Sequence, residues 1–222
     1  MNQVCRLAAI MSILLGLPAF AANPFLDAKG DKPVSVNVRG TEWNDEYTSG
    51  EIPLTARIIT TRVASMPWGA IFKIEFVDLK SKASQKRDIS PLYFIATNDR
   101  IILLDTSLYV HMESGVRTKQ QDDEDNAAAI KKISAMEKAP DFEQGDIRAI
   151  NGGKMNFEEG PYTTSIEVKG DECTYLTSHN SGHYTKFVWE RGQGLIEHGS
   201  NYGAMKDGFK LKRVGSKKQA RP

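Results

Sequence analysis

The feature that most constrains the fold is a succession of short apolar segments separated by glycine-containing turns between residues 178 and 213. Aromatic and aliphatic residues fill the segments, and turns such as Arg191-Gly192-Gln193-Gly194 separate them. Consecutive strands joined by such short turns pair antiparallel. The region therefore predicts a β-meander, with strands over Tyr184–Glu190, Leu195–Ser200 and Phe209–Val214.

Similar patterns recur upstream. Apolar and polar residues alternate over Val34–Val38 and Ala70–Val77, as in strands that have one buried and one solvent-exposed face. Leu92–Ala96 and Ile101–Leu104 flank a short polar turn, and the second of these is so apolar that it predicts a central strand buried on both faces. No βαβ alternation occurs, which argues against Rossmann and α/β-barrel enzymes. The expected fold is mainly β (α+β), built of antiparallel meanders and hairpins in a barrel-like or sandwich-like arrangement.

One helix is expected, over residues 123–138. Acidic residues at 122–125 suit a helix N-terminus, where they meet the positive end of the helix dipole. Apolar residues then recur at helical spacing, at Ile130, Ile133 and Met136, and Pro140 ends the pattern. This helix joins two strand-rich halves.

The first 21 residues have the pattern of a secretory signal peptide. Arg6 precedes the apolar run Leu7–Leu17, and Ala19-Phe20-Ala21 supplies small residues at a cleavage site. The apolar run is too short to span a bilayer, although an uncleaved membrane anchor is the alternative. We therefore expect an exported, periplasmic protein without a transmembrane segment after cleavage.

The predicted organisation is a signal peptide over residues 1–21, one β-rich domain over 22–214 and a disordered basic tail over 215–222. Residues 23–32 are polar and contain Pro24 and Gly30, so a loosely held lead-in is expected there.

Charge argues against nucleic acid as a partner. Removing Arg6 from the 29 basic residues leaves 28, which equals the 28 acidic residues. The mature chain therefore has a formal net charge of zero and no overall electrostatic attraction to nucleic acid or anionic lipid. The C-terminal end is nevertheless basic. Its cations could contact lipopolysaccharide or an acidic partner, although such runs are commonly just solvated: Lys206, Lys210, Lys212, Arg213, Lys217, Lys218 and Arg221.

Two histidines form the sharpest local motif. His179 and His183 flank the turn Asn180-Ser181-Gly182, so they should face each other across a hairpin end, where they could bind Zn²⁺. The sequence fixes no third ligand, and a solvated pair is the simpler interpretation. The candidates for further ligands are His111, Asp171, Glu172, Cys173 and His198. No cofactor is expected.

Catalytic motifs are missing from the sequence. There is no Gly-x-Ser-x-Gly elbow and no phosphate-binding glycine loop before a helix. Cys173 is the only cysteine after cleavage, which excludes a disulfide scaffold, and it is more typical of a buried small apolar residue than of a nucleophile. A Cys173–His183 pair would need a geometry that the sequence does not supply.

A binding surface is the remaining candidate. Alternation on the strand 184–190 assigns Phe187 and Trp189 to the core. The opposite face would carry a polar and aromatic patch of His183, Tyr184, Glu190 and Tyr202.

The predicted function is to bind another periplasmic or envelope protein, as an inhibitor or immunity protein does. One alternative is a carrier or sensor of a small or lipid-like ligand in a β-sheet cavity, and another is a hydrolase without a recognisable motif. A closed barrel with an apolar pocket would favour the carrier, and a filled core with an exposed aromatic patch would favour the protein binder.

The signal-peptide prediction has a direct test. N-terminal sequencing of the exported protein should begin at Ala22, because the small residues Ala19 and Ala21 mark the cleavage site. An N-terminus still at Met1 would contradict it.

Overall fold

A computed structural model of the chain describes residues 23–26, 32–44, 50–82, 87–112, 115–141, 147–148, 153–203 and 207–215. The predicted signal peptide lies outside these residues, and so does the predicted tail beyond Gly215.

The described chain contains a β-sheet, one α-helix and a short 3-10 helix over Thr106–Leu108. The α-helix, α1, covers Lys119–Ser134. The strands are β1 Val34–Trp43, β2 Ile52–Met66, β3 Gly69–Ser81, β4 Leu92–Ala96, β5 Arg100–Leu103, β6 Ile147–Arg148, β7 Gly153–Glu159, β8 Tyr162–Lys169, β9 Glu172–His179, β10 Tyr184–Glu190, β11 Gly194–Tyr202 and β12 Asp207–Arg213. The mainly β fold with one helix is thereby confirmed.

All twelve strands belong to one sheet, in the order β6-β5-β4-β3-β2-β1-β12-β11-β10-β9-β8-β7. Each half of the chain forms a meander, and the two meanders join where β1 pairs antiparallel with β12. Strands β6 and β7 therefore form the two edges, although they are neighbours in sequence.

Covalent geometry forces this sheet to curl. In a flat sheet the two edges of twelve strands would lie about 53 Å apart, at roughly 4.8 Å per strand. The chain from Arg148 to Gly153 can span at most about 18 Å. The two edges must therefore come close together, and the sheet is barrel-like.

The concave face of the sheet holds the main core. Phe94 on β4 meets Phe187 and Trp189 on β10 at ring-centroid distances of 5.3 and 5.5 Å, both edge to face. These strands are six positions apart in the sheet, so the contacts cross its interior. Phe187 and Trp189 are buried, as the sequence predicted.

Helix α1 covers the convex face of β2–β5. Ile133 packs with Ile71, Ile95 and Ile102 in a second, smaller core, and the indole of Trp68 donates to the carbonyl of Met136 at 2.9 Å. The helix begins four residues before the predicted start, because Thr118 and Gln121 form a capping box. It ends at Ser134, before the predicted end at 138.

Residues 23–26 close one end of the curled sheet, which we call the plug end. The Asn23 amide donates to the carbonyls of Thr97 and Arg100 at 2.8 and 3.1 Å, and Gly192 N–H donates to the carbonyl of Pro24 at 3.0 Å. These contacts join the β4–β5 turn to the β10–β11 turn. The expected loose lead-in is therefore wrong for residues 23–26.

Strand β5 also differs from expectation. It lies second from the sheet edge rather than at its centre. Ile101 faces the main core, whereas Ile102 packs in the smaller core with Ile133 of α1, and Leu103 is exposed. The helix, and not a central position, explains the apolar sequence.

Replacing Asn23 by alanine should lower the free energy of unfolding by about 1–3 kcal/mol, because the buried carbonyl of Thr97 loses its side-chain donor and the buried N–H of Phe25 loses its acceptor. Urea unfolding of the mature protein measures this. Asn37→Ala is the matched control, since Asn37 is exposed on β1. Equal effects of the two substitutions would show that the plug does not stabilise the fold.

Candidate functional site

Aromatic and aliphatic side chains fill the interior near the plug end. Phe25, Phe94, Trp189 and Leu195 are all fully buried there, and the Arg191 guanidinium lies over the Phe25 ring at 4.9 Å. An apolar ligand in this half would have to displace side chains that already pack against one another.

Halfway along the interior, a histidine joins this core. His198 on β11 stacks on Phe187 at 4.6 Å between ring centroids, with 7° between the ring planes. Its Nδ1 donates to the carbonyl of Lys186 at 3.0 Å, since a carbonyl can only accept. Burial lowers the pKa of His198 to about 4, so the ring is neutral at physiological pH.

Charged groups seal the opposite end of the interior, which we call the row end. The buried carboxylate of Glu42 accepts from Arg87 Nε at 2.8 Å and from the hydroxyl of Ser81. The same guanidinium reaches Asp207 at 2.5 Å and lies over the ring of Phe209. Arg87 thereby ties the segment before β4 to β1 and β12, which closes this end with a satisfied ion-pair network.

Four rings form a continuous row across the tips of β8, β9, β10 and β11. Tyr162 meets His179 at 4.9 Å, His179 meets His183 at 5.6 Å, and His183 stacks on Tyr202 at 4.2 Å between centroids. Tyr162 and Tyr202 are 43% and 51% exposed, and the two histidines between them are half-buried. We call these residues the ring row.

The hairpin between β9 and β10 fixes the ring of His179. Ser181 N–H donates to His179 Nδ1 at 3.0 Å, so in the neutral ring the proton sits on Nε2. The backbone closes the turn through His179 N–H to the carbonyl of His183 at 2.8 Å.

Two further contacts hold the turn against β11. Asn201 donates to the carbonyl of Gly182 at 2.6 Å and accepts from the Trp43 indole at 2.9 Å. A Cβ on Gly203 would lie 2.2 Å from the carbonyl oxygen of Ser181, so only glycine allows this approach. The ring row therefore rests on a tightly packed backbone.

Only part of the predicted patch comes together. His183 and Tyr202 stack in the ring row. Tyr184 is adjacent, and its ring packs over Gly199 on the convex face of the sheet. Glu190 lies at the far end of β10, seven residues from His183, and is paired there with Arg213.

The histidine pair gathers no ligand set in the described part of the chain. His179 and His183 do face each other across the hairpin end, but no cluster of three or more His, Cys, Asp or Glu side chains occurs among the described residues. Structural zinc sites use four ligands. Among the described residues, the structure therefore places no third ligand beside His179 and His183 for a zinc ion.

Cys173 lies far from His183. It is the second residue of β9 and lies opposite Trp189, at the plug end, whereas His183 is at the row end. Burial raises the pKa of the Cys173 thiol to about 12, which keeps it protonated at neutral pH. The Cys173–His183 pair that a hydrolase would need does not form, and Cys173 behaves as a buried apolar residue.

Sequence reasoning did not find Tyr162 or the Glu42–Arg87 pair. Tyr162 joins the ring row because β8 pairs with β9 and sets it opposite His179, a register that local sequence does not encode. Arg87 and Glu42 meet across 45 residues of chain.

Comparisons with known proteins add little. No protein-family model matches the chain, and no similar curated protein was found. One solved structure, provisionally described as an outer membrane lipoprotein-sorting protein domain from Vibrio parahaemolyticus, aligns over 87% of this chain and 88% of its own with 8% identity and a TM-score of 0.25. At that TM-score the similarity carries no argument. Within the described residues, no helix has the length and apolarity to cross a membrane.

Acid should destabilise the protein partly through His198. Its pKa is about 4 in the folded state, below the ordinary histidine value of 6.5, so between these pH values the unfolded chain binds a proton that the folded chain does not bind. The free energy of unfolding should therefore fall as pH drops from 6.5 towards 4, by up to roughly 3 kcal/mol from this residue.

Urea unfolding at several pH values gives the slope of the free energy of unfolding against pH. The difference in this slope between wild type and His198→Gln is the contribution of His198. His111→Gln, at an exposed position, is the control and should keep the wild-type slope. NMR titration of the His198 ring in the native protein is the second measurement, and a midpoint near 6.5 would refute the prediction.

Proposed function

We propose that this chain is an exported protein that acts by binding another protein through the ring row and its surroundings. The observation that carries the proposal is the row itself, in which two exposed tyrosines, Tyr162 and Tyr202, flank the half-buried His179 and His183 on a hairpin scaffold. Tyrosines held rigidly at a surface are typical anchors of protein interfaces, because little conformational entropy is lost when they bind.

The orientation of the rings favours a protein over a sugar or a lipid. At the His183–Tyr202 contact the planes are 26° apart and the centroids 4.2 Å apart, so the ring faces are used within the row. One face of His183 and one face of Tyr202 are covered in this contact, which leaves less open ring face for stacking on a sugar. Hydroxyl and imidazole edges suit hydrogen bonds to a protein, whereas stacking on a sugar needs open faces.

The filled interior supports a binder over a carrier. A carrier of apolar ligands needs a cavity of several hundred Å³ inside the sheet. Here the plug half is occupied by Phe25, Phe94 and Trp189, and the row end is closed by Arg87 with Glu42. This combination of a packed core and an exposed aromatic surface is what a protein-binding module requires.

The signal-peptide pattern supports export, which would place the partner in the periplasm or envelope. Small exported domains without catalytic motifs include inhibitors and immunity proteins, and we propose that class of role. The buried, protonated thiol of Cys173 offers no nucleophile for the hydrolase alternative.

Affinity capture tests the proposal. Mature protein immobilised at a terminus is incubated with envelope extract of its own source, and captured proteins are quantified. The double variant His183→Ala/Tyr202→Ala should reduce capture of the specific partner by about tenfold or more, because truncating interface anchors costs over about 1 kcal/mol each.

The control is Leu108→Ala/Val116→Ala, which removes exposed apolar side chains outside the ring row and should leave capture unchanged. Urea unfolding of both double variants verifies that each is folded. Capture that survives loss of the row refutes the proposal, and so does a native mass above the sequence mass from a bound small ligand with no protein captured.

A further inference from the structure

The convex face of β9–β12 and β1, together with the adjoining ends of β2 and β3, carries a concentration of cations. One line of directly paired residues runs from Glu197 through Lys212, Arg39 and Thr55 to Lys80. Lys186 and Lys210 lie beside this line. We call the five cations Arg39, Lys80, Lys186, Lys210 and Lys212 the cationic belt.

Only one carboxylate is built into the belt. Glu197 is buried on the convex face, where Lys186 Nζ reaches it at 2.5 Å and Lys212 Nζ at 3.5 Å. Across the residues that the structure describes, no carboxylate forms an ion pair with Arg39, Lys80 or Lys210, and all three are exposed.

The belt thus has a local positive excess although the whole chain has a formal net charge of only +1. Glu51 is a second acidic neighbour, since burial and the carboxylates of Glu197 and Glu51 raise the pKa of Tyr184. Five cations still outnumber these two carboxylates. Such a local excess attracts acidic partners and speeds their association.

A depression of about 200 Å³ lies within the belt. Its floor is Gly199, and its walls are Leu176, Tyr184, Lys186, Glu197 and Lys210. A Cβ on Gly199 would lie 3.5 Å from the Tyr184 ring and 3.3 Å from the carbonyl oxygen of Phe209, so the missing side chain creates the space. An apolar wall beside flanking cations is the form of an anchor pocket.

No helix of the described chain covers this part of the sheet, because α1 packs on Met66, Ile71, Ile95 and Ile102, at the opposite ends of β2 and β3 from Thr55 and Lys80. The depression lies close to the ring row, since its wall residue Tyr184 directly follows His183. A partner that contacts the row can therefore extend over the belt.

We infer that the belt binds an acidic segment of a partner protein, with one apolar side chain in the Gly199 depression and carboxylates on Lys210, Lys212 and Arg39. The inference rests on the proposed protein-binding function and specifies its partner chemistry. Charge complementarity selects an acidic segment, and the apolar wall of Tyr184 and Leu176 selects an apolar anchor over a phosphate group.

The probe is a fluorescently labelled peptide, Glu-Glu-Phe-Glu-Glu, with Lys-Lys-Phe-Lys-Lys and Glu-Glu-Ser-Glu-Glu as comparisons. Fluorescence anisotropy with the mature protein should show binding of the acidic phenylalanine peptide and weaker binding of both others. The affinity should fall with added salt, because exposed charges are screened.

Two variants locate the binding. Lys210→Glu reverses one belt charge, and Gly199→Ala adds a methyl group to the floor of the depression, 3.5 Å from the Tyr184 ring, at an ordinary backbone angle. Each should lower the affinity for the acidic phenylalanine peptide by about fivefold to tenfold, as expected for loss of one anchor contact. Lys138→Glu, an equal charge change at an exposed site beyond α1, should leave the affinity unchanged. Urea midpoints verify folding.

Three outcomes overturn the inference. They are equal or absent binding of the acidic and basic peptides, equal weakening by Lys138→Glu, and binding of phosphatidylglycerol vesicles in place of the acidic peptide. If capture of a protein still depends on the ring row in any of these cases, the proposed function stands and only the partner chemistry is wrong. If row-dependent capture fails while the peptide binds at the belt, the proposed function is the part that fails.

Discussion

The contact of Phe94 with Phe187 and Trp189 is the interaction on which the rest of this structure depends. The strands that carry these rings are separated by about 29 Å along the sheet, at roughly 4.8 Å per strand. Bringing them into edge-to-face contact is possible only if the sheet curls. The same rings fill the interior that the curl creates.

The convex face of the curled sheet has two regions, of which one is covered by the helix and the other is not. Over β2–β5 the outward isoleucines are apolar and α1 covers them, with Ile133 at the centre of the contact. Over β9–β12 the outward residues include Lys186, Lys210 and Lys212 around one buried glutamate, and this surface stays accessible in the described chain. The division places the candidate binding surfaces on the half of the sheet that the helix does not reach.

Local sequence predicted the strands well, because each is bounded by turn residues that short-range chemistry defines. Gly192 and Gly194 both adopt positive φ in the β10–β11 turn that the sequence indicated. Trp189 and Phe187 were placed in the core by alternation alone. The helix start was misplaced although the capping box of Thr118 and Gln121 was present in the sequence.

Features that depend on distant pairing could not be predicted. Asn23 looks like an ordinary polar residue of a lead-in, and only the approach of the β4–β5 turn makes it a buried donor. Tyr162 lies in the ring row because the register of β8 with β9 places it beside His179. Arg87 contacts Glu42 because the curl of the sheet brings these distant segments together. In the site, the stacked histidine and tyrosine were identified from sequence, whereas Glu190 was assigned by face alone and lies at the wrong end of its strand.

The pairing of the first strand with the last has a kinetic consequence. Either meander can form from neighbouring segments, but the β1–β12 ladder joins residues such as Val38 and Arg213 that are far apart in sequence. Closing so long a loop is slow, and β1 keeps an unpaired edge until residue 213 has been synthesised and delivered. Exposed strand edges recruit other chains. Until the last strand arrives, the unpaired edge of β1 is therefore a site at which another chain can add and start aggregation.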